Sequence, residues 1–140
     1  MNQTAIFYPI AAMMGLVAIV TALMLKERVA EMKAKRIHPN KVPSSTQMSQ
    51  VLQNTRAADN YKNLAEMPIL FYVLCLALFA TQSVTTTWLV AAWAYVVLRY
   101  VHSFIHIGYN VVMHRFYVFA ASLTLLFCMW AVFVWQLAIK

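Results

Sequence analysis

Four apolar runs, each long enough to cross a membrane, take up most of this chain of 140 residues. A helix needs about 20 apolar residues to cross the hydrocarbon core of a bilayer. We place the spans at about residues 5–25, 64–80, 88–107 and 116–139. The composition agrees, because 63% of the residues are hydrophobic and 11% are charged, whereas about 25% are charged in soluble domains. The predicted fold is an all-α membrane protein, a single four-helix transmembrane bundle over residues 1–140.

Positive charge is concentrated in the loop between the first and second spans, at residues 26–63. The net charge is +7, and short basic loops beside membrane helices stay in the cytoplasm. We therefore expect a multi-pass membrane protein, with this loop on the cytoplasmic side and both termini outside. The residues from 26 to 41 are expected to face lipid headgroups. No nucleic-acid partner is expected, because no recognition module accompanies the charge.

The third span carries a polar stripe along one side. At about 100° per residue, its polar side chains fall within an arc of about 120°. They are Tyr95, Arg99, His102, Ser103, His106, Tyr109 and Asn110. A charge that faces hydrocarbon costs several kcal/mol. We therefore expect this stripe to face other helices or a water-filled cavity rather than lipid.

The second span begins with polar turns. Ser44-x-x-Gln47 is a capping-box pattern, which predicts that a continuous helix begins near Ser44 and runs to Ala80. Pro39 and Pro43 limit any extension of the first helix. A second polar arc of about 120° lies on the predicted helix. Its members are Arg56, Asp59, Asn60, Asn63 and Glu66.

The inner ends of the last three spans therefore hold nearly all the polar chemistry in the membrane. Guanidinium groups recognise carboxylates, amides recognise peptide groups, and a carboxylate recognises an ammonium. This mixture predicts a site for a peptide-like anionic small molecule. The residues that form it are Arg56, Asn60, Asn63, Glu66, Arg99, His102, His106, Tyr109 and Arg115.

Three other interpretations of these residues stay open at this point. Glu66 and Arg99 can form a buried ion pair that fixes the register of two helices. Glu66, His102 and His106 can relay protons in a transporter, because ionisable residues within spans often do so. His102 and His106 have the spacing of a metal pair, but no third ligand stands at a suitable distance, so we predict no metal.

The segment Asn63-Leu-Ala-Glu66-Met-Pro68 resembles the signature of the MAPEG family, the membrane-associated proteins in eicosanoid and glutathione metabolism. The resemblance extends over nearly the whole chain: four spans, a basic first loop, Arg99-x-x-His102 in the third helix and Arg115 at the start of the fourth. The polar segments look most similar to those of bacterial members.

This resemblance implies a homotrimer in which glutathione binds between neighbouring subunits, near the cytoplasmic ends of the helices. In better-known members, the residues matching Asn63 and Glu66 hold the glutathione backbone, and the arginine matching Arg115 points at the thiol. Glutathione-binding members usually carry an arginine four residues before the motif asparagine. This chain has Asp59 there, and Arg56 is the candidate substitute.

The resulting functional prediction is a membrane-embedded glutathione transferase or peroxidase that uses glutathione as co-substrate. Its other substrate would be a hydrophobic electrophile or lipid hydroperoxide that arrives from the bilayer. Arg115 is the predicted catalytic residue. The predicted binding residues are Arg56, Asn60, Asn63, Glu66, Arg99, His102 and Tyr109. The alternative is a non-catalytic trimer on the same fold that binds lipids or small molecules.

Overall fold

The computed structural model describes residues 2–42 and 44–139, so Pro43 and the expectation attached to it lie outside the described residues. The described chain is helical and contains no strand. Two short 3-10 turns span Gln3–Ile6 and Pro39–Lys41. The α-helices are α1 (Phe7–Ala34), α2 (Ser45–Val51), α3 (Arg56–Glu66), α4 (Ile69–Ala80), α5 (Thr86–Ile107) and α6 (Val112–Ala138).

Four helical segments are long and apolar enough to cross a membrane. They are Gln3–Ala34, Arg56–Ala80, Thr86–Ile107 and Val112–Ala138. This confirms the prediction of an all-α protein with four helices that can span a membrane. The last helix begins at Val112 rather than at Phe116, so Arg115 lies within its first turn.

The second helix is not continuous from Ser44, which corrects the sequence prediction. The capping box itself is confirmed, because Ser44 and Gln47 each bond the backbone of the other. However, α2 ends at Val51. The Glu31 carboxylate accepts hydrogen bonds from the backbone N–H groups of Gln53 at 2.7 Å and Asn54 at 3.2 Å. These N–H groups are thereby withdrawn from a helical ladder.

A second interruption separates α3 from α4 at Met67 and Pro68. Both residues keep right-handed helical backbone angles, so the two helices form one span of 25 residues. Proline has no N–H to donate, which breaks the ladder at this point. The polar arc therefore occupies α3, and the apolar part of the span is α4.

The part of the polar stripe that lies within α5 is buried inside the bundle, as the sequence predicted, but Tyr109 and Asn110 lie beyond the end of the helix, and Tyr109 is exposed. Tyr95, Arg99, His102 and Ser103 are each at most 2% exposed. The helix packs against α1, α3 and α6. The Tyr95 ring stacks on Phe71 of α4, with their centroids 4.6 Å apart.

Hydrogen bonds between distant residues tie the elements together at each end of the bundle. At one end, the Gln3 side chain bonds both the carbonyl and the N–H of Val84. This pairing holds the start of the first span against the turn before α5. At the other end, Arg56 Nη1 donates to the carbonyl of Gly108 at 2.9 Å. Arg56 therefore joins α3 to the turn between α5 and α6.

Candidate functional site

The first group of predicted site residues forms a buried polar cluster between α3 and α5. Arg99 donates from Nη2 to Oδ1 of Asn63. One turn along each helix, Ser103 Oγ donates to Oδ1 of Asn60 at 3.3 Å. Asn60 and Asn63 of the polar arc thus face the polar stripe of α5, as polar groups in an apolar bundle must find polar partners, whereas Asp59 and Glu66 of the same arc are exposed.

Glu66 does not pair with Arg99 in the described protomer, so the alternative interpretation of these residues as a buried ion pair is wrong. Glu66 lies on the exposed side of α3. Within residues 2–42 and 44–139, the ion pair observed joins Lys35 to Glu31 at 2.6 Å. The buried Arg99 guanidinium is instead accommodated by the Asn63 oxygen and by the Phe119 ring, whose centroid lies 6.0 Å away.

The buried polar cluster retains hydrogen-bonding capacity. Arg99 Nε, Asn60 Nδ2 and His102 Nδ1 are buried and bond to no other group in the described part of the chain. The His102 ring lies beside those of His106 and Phe119, at centroid distances of 5.7 Å and 5.9 Å. The described residues contain no group of three or more metal-ligating side chains. The unpaired nitrogens of this interior can therefore still form hydrogen bonds.

A second group surrounds Arg115 at the turn between α5 and α6. Arg115 Nη1 lies 3.2 Å from His106 Nε2 and donates to Asn110 Oδ1 at 2.9 Å. Asn110 has a φ of 49°, in the left-handed region, which asparagine tolerates better than most residues. A Cβ on Gly108 would lie 2.8 Å from the Phe104 carbonyl oxygen. The turn therefore requires glycine where it closes on α5.

A third group lines a cleft of about 580 Å³ between the end of α1, α2 and the outer side of α3. Two cationic side chains, Arg28 and Lys62, and two carboxylates, Asp59 and Glu66, line it. Asn54 adds an amide, and apolar contacts come mainly from methionine, leucine and alanine side chains. Such a site can receive a ligand that carries both ammonium and carboxylate groups.

The structure thus divides the predicted site residues of one protomer among three places. Glu66 lines the cleft, whereas Asn60, Asn63, Arg99 and His102 lie within the bundle. Arg115 lies beside the α5–α6 turn, to which Arg56 also bonds. Tyr109 is 53% exposed, and its hydroxyl lies 3.3 Å from His114 Nδ1.

Sequence reasoning missed the contributions of Arg28 and Lys62 to the cleft. Arg28 was expected to be part of a face toward lipid headgroups. The available signal was its position on α1, four residues after the buried Met24, because residues four apart share one helix face. Asn110 was also missed as a partner of Arg115. Its signal was its place just after Gly108, where a helix stops and asparagine favours a turn.

Comparison with known proteins identifies the family. No curated protein and no solved structure matches the chain. The family model of the MAPEG family matches residues 6–135. This match includes the second and third helices that can span a membrane, most of the first and the fourth, and all three groups of polar residues. The chain therefore belongs to the MAPEG family.

Proposed function

We propose that this protein is a membrane-embedded glutathione transferase or peroxidase. The Arg115 guanidinium carries this proposal. Both of its side-chain hydrogen bonds within the described chain use Nη1, so Nη2 and Nε are available to an anionic ligand. A guanidinium that is held in place by two acceptors is a preorganised site for a developing negative charge. The thiolate of glutathione is the anion that membership of this family suggests.

The residues of the cleft fit glutathione by charge. Glutathione carries two carboxylates, one ammonium and two peptide groups. Arg28 and Lys62 supply cations for the carboxylates, and Glu66 supplies an anion for the ammonium. Asn54 can bond a peptide group. The cleft, at about 580 Å³, lies within the range of small-molecule sites, about 300–1,000 Å³.

The complete site requires a second copy of the chain. Within one protomer, Arg115 is not among the residues that line the cleft. A neighbouring subunit can bring its Arg115 to the cleft of the first, and closed symmetry then repeats the site at each interface. We propose a homotrimer with such intersubunit sites. Large apolar side chains on the protomer surface, such as Phe104, Phe116 and Trp135, would contact lipid or the neighbouring subunits.

The proposed chemistry begins with ionisation of the thiol. A free thiol has a pKa of about 8.5, and a nearby guanidinium lowers it. A lowering of about two units is equivalent to roughly 2.7 kcal/mol. In the transferase reaction, the sulfur forms a bond to the electrophilic carbon, and the leaving group departs with its bonding electrons. In the peroxidase reaction, two glutathione molecules reduce one hydroperoxide to an alcohol and water, and they are oxidised to the disulfide.

The proposed orientation places the cleft in the cytoplasm, where glutathione is available. The cleft lies beside the basic loop between the first two spans, and such loops remain on the cytoplasmic side. Both termini would then lie on the opposite side of the membrane. We propose that this membrane is a bacterial inner membrane. The hydrophobic substrate would enter sideways from the bilayer.

Glutathione binding to the purified protein, measured by calorimetry together with the ultraviolet absorbance of the thiolate, tests this proposal. We expect binding accompanied by thiolate formation. S-methylglutathione is the matched control, because it retains the peptide groups but cannot ionise at sulfur; it should bind without the absorbance change. Binding of glutathione without thiolate formation, or no binding at millimolar concentration, would contradict the proposal.

One observation favours a second function, binding of an apolar ligand without catalysis. A groove of about 280 Å³ lies between α5 and the second half of α6. Trp88, Ala91, Met129 and Val132 are among its lining residues. A lipid chain bound there in the absence of any thiolate signal would favour this alternative on the same fold.

A further inference from the structure

His106 is placed to control the direction in which the Arg115 guanidinium points. The two residues are nine positions apart, on either side of the α5–α6 turn, and Arg115 Nη1 lies 3.2 Å from His106 Nε2. A guanidinium has five donors and no acceptor. In this contact the imidazole Nε2 must therefore accept, and the single ring proton of a neutral histidine must be on Nδ1.

The position of Arg115 explains why it needs an acceptor from α5. Arg115 is in the first turn of α6, where the unpaired N–H groups of a helix carry partial positive charge. A cation is disfavoured at this end. A long arginine side chain near a membrane surface also tends to extend toward the headgroups. An acceptor on a neighbouring, buried helix opposes both effects.

The acceptor is itself buried, and its Nδ1 bonds no other group in the described part of the chain. His106 is 7% exposed, and it lies on the last turn of α5 with its ring against that of His102. Asn110 supplies a second acceptor to the same Nη1. Two acceptors on one nitrogen restrict the orientation of the guanidinium and leave Nη2 and Nε without a hydrogen bond in the described chain.

We propose that His106 is a positioning residue for thiolate formation, acting through Arg115; this inference rests on the function proposed above. His106 need not touch glutathione. It holds the Arg115 guanidinium in the orientation in which the free N–H groups of Arg115 meet the thiolate. The guanidinium therefore does not have to reorient in each catalytic cycle. Misplacement of a catalytic group by about 1 Å can lower a rate about 100-fold.

A pair of amide variants tests the acceptor role. In His106→Gln, the side-chain oxygen can occupy the position of Nε2 and accept from Arg115. In His106→Asn, the oxygen is one carbon short of that position, although the side chain is equally polar. We expect His106→Asn to lower kcat with an activated aryl halide by about 10-fold to 100-fold and to abolish the thiolate absorbance. Its KM for glutathione should change much less, and His106→Gln should restore most of both signals.

A double variant shows whether His106 acts through Arg115. Once Arg115→Ala has removed the guanidinium, His106→Asn should cause no further loss of thiolate, because the two changes affect one interaction. Thermal unfolding of each variant in detergent checks that the fold is retained.

Three results would overturn the inference. They are wild-type thiolate formation in His106→Asn, equal loss in His106→Asn and His106→Gln, and additive losses in the double variant. In each case the wild-type protein would still form a thiolate, so the proposed function would stand. Absence of thiolate in the wild type would overturn the proposed function and the role of His106 together.

Discussion

Arg99 of α5 donates a hydrogen bond to the side-chain oxygen of Asn63 in α3, inside the bundle. Arg99 is 1% exposed, so this oxygen is a principal polar partner of a charge within the membrane-spanning region. The motif asparagine thus has a structural task in this chain. Its amide nitrogen forms no hydrogen bond within the described chain and is available to a ligand.

Replacing Asn63 by alanine should destabilise the protein. We expect Asn63→Ala to lower the free energy of unfolding by about 1.5–3 kcal/mol, the loss typical of a hydrogen bond to a charged group. Chemical unfolding in detergent measures this difference. Asn63→Asp is the matched control, because it keeps the side-chain oxygen and adds a negative charge. This variant should be at least as stable as the Asn63→Ala variant. An alanine variant as stable as the wild type would contradict the structural task.

Replacing Arg115 by alanine should affect turnover more than binding. The guanidinium acts on the thiolate, so we expect kcat to fall by about 100-fold, as when one donor to a developing anion is removed. The KM for glutathione should change by much less. Steady-state kinetics with an activated aryl halide separates the two parameters. Arg115→Lys keeps the charge, so its kcat should fall less than that of Arg115→Ala. A rise in KM as large as the fall in kcat would argue against stabilisation of the thiolate.

Asp59 should weaken the binding of glutathione relative to the arginine usual in the family. Asp59 is exposed, lines the cleft and accepts a hydrogen bond from Thr55 Oγ1 at 2.9 Å. Asp59→Arg would give a ligand carboxylate another cation. An exposed pair contributes up to about 1 kcal/mol, or about fivefold in the dissociation constant. Calorimetry at two salt concentrations should show tighter binding that weakens with salt. Asp59→Asn should give an intermediate value, and unchanged binding in both variants would remove Asp59 from the site.

We expect Glu31 to fix the position of the segment after α2, which lines the cleft. Its carboxylate accepts from the N–H groups of Gln53 and Asn54, and Lys35 Nζ donates to the Val51 carbonyl at 2.8 Å. In Glu31→Ala, these backbone amides lose their acceptor, so their hydrogen exchange should accelerate. Lys33→Ala, on the same last turn of α1, is the control and should leave the rates unchanged. Unchanged exchange in Glu31→Ala would show that the segment is held by other contacts.

The assembly should be a trimer in detergent. In the site that we propose, Arg115 of a neighbouring chain completes the cleft, which requires at least two copies, and the proposed assembly has three. Native mass measurement and chemical cross-linking determine the number. A protein that forms the thiolate as a monomer would contradict the intersubunit site.

Local periodicity was sufficient to predict the four spans and the burial of the α5 stripe. Arg99, His102 and Ser103 recur on one face of an otherwise apolar helix, and the membrane leaves such a face no alternative to burial. The capping box at Ser44 and the end of α5 before Gly108 were likewise readable, because each depends on residues close together in the chain.

Contacts between residues far apart in the chain could not be predicted from the sequence. The break after α2 depends on Glu31, which is 22 residues before Gln53. No sequence pattern between Ser44 and Ala80 indicates this contact. The same limitation explains why an ion pair between Glu66 and Arg99 stayed open as an alternative in the sequence analysis. Their charges are complementary, but the rotation of α3 about its axis directs Asn63 toward Arg99 and leaves Glu66 at the cleft.

The interruption at Met67 and Pro68 has a consequence for biosynthesis. Helix α4 has 12 residues and is about 18 Å long at 1.5 Å per residue, which is short of the roughly 30 Å hydrocarbon core. It cannot cross the bilayer unless the polar helix α3, which precedes it, enters the membrane with it. Arg99, in the next span, is costly to insert without the Asn63 oxygen. We therefore expect the ribosome-bound chain to deliver these two spans to the bilayer together, as a hairpin whose polar surfaces are already paired.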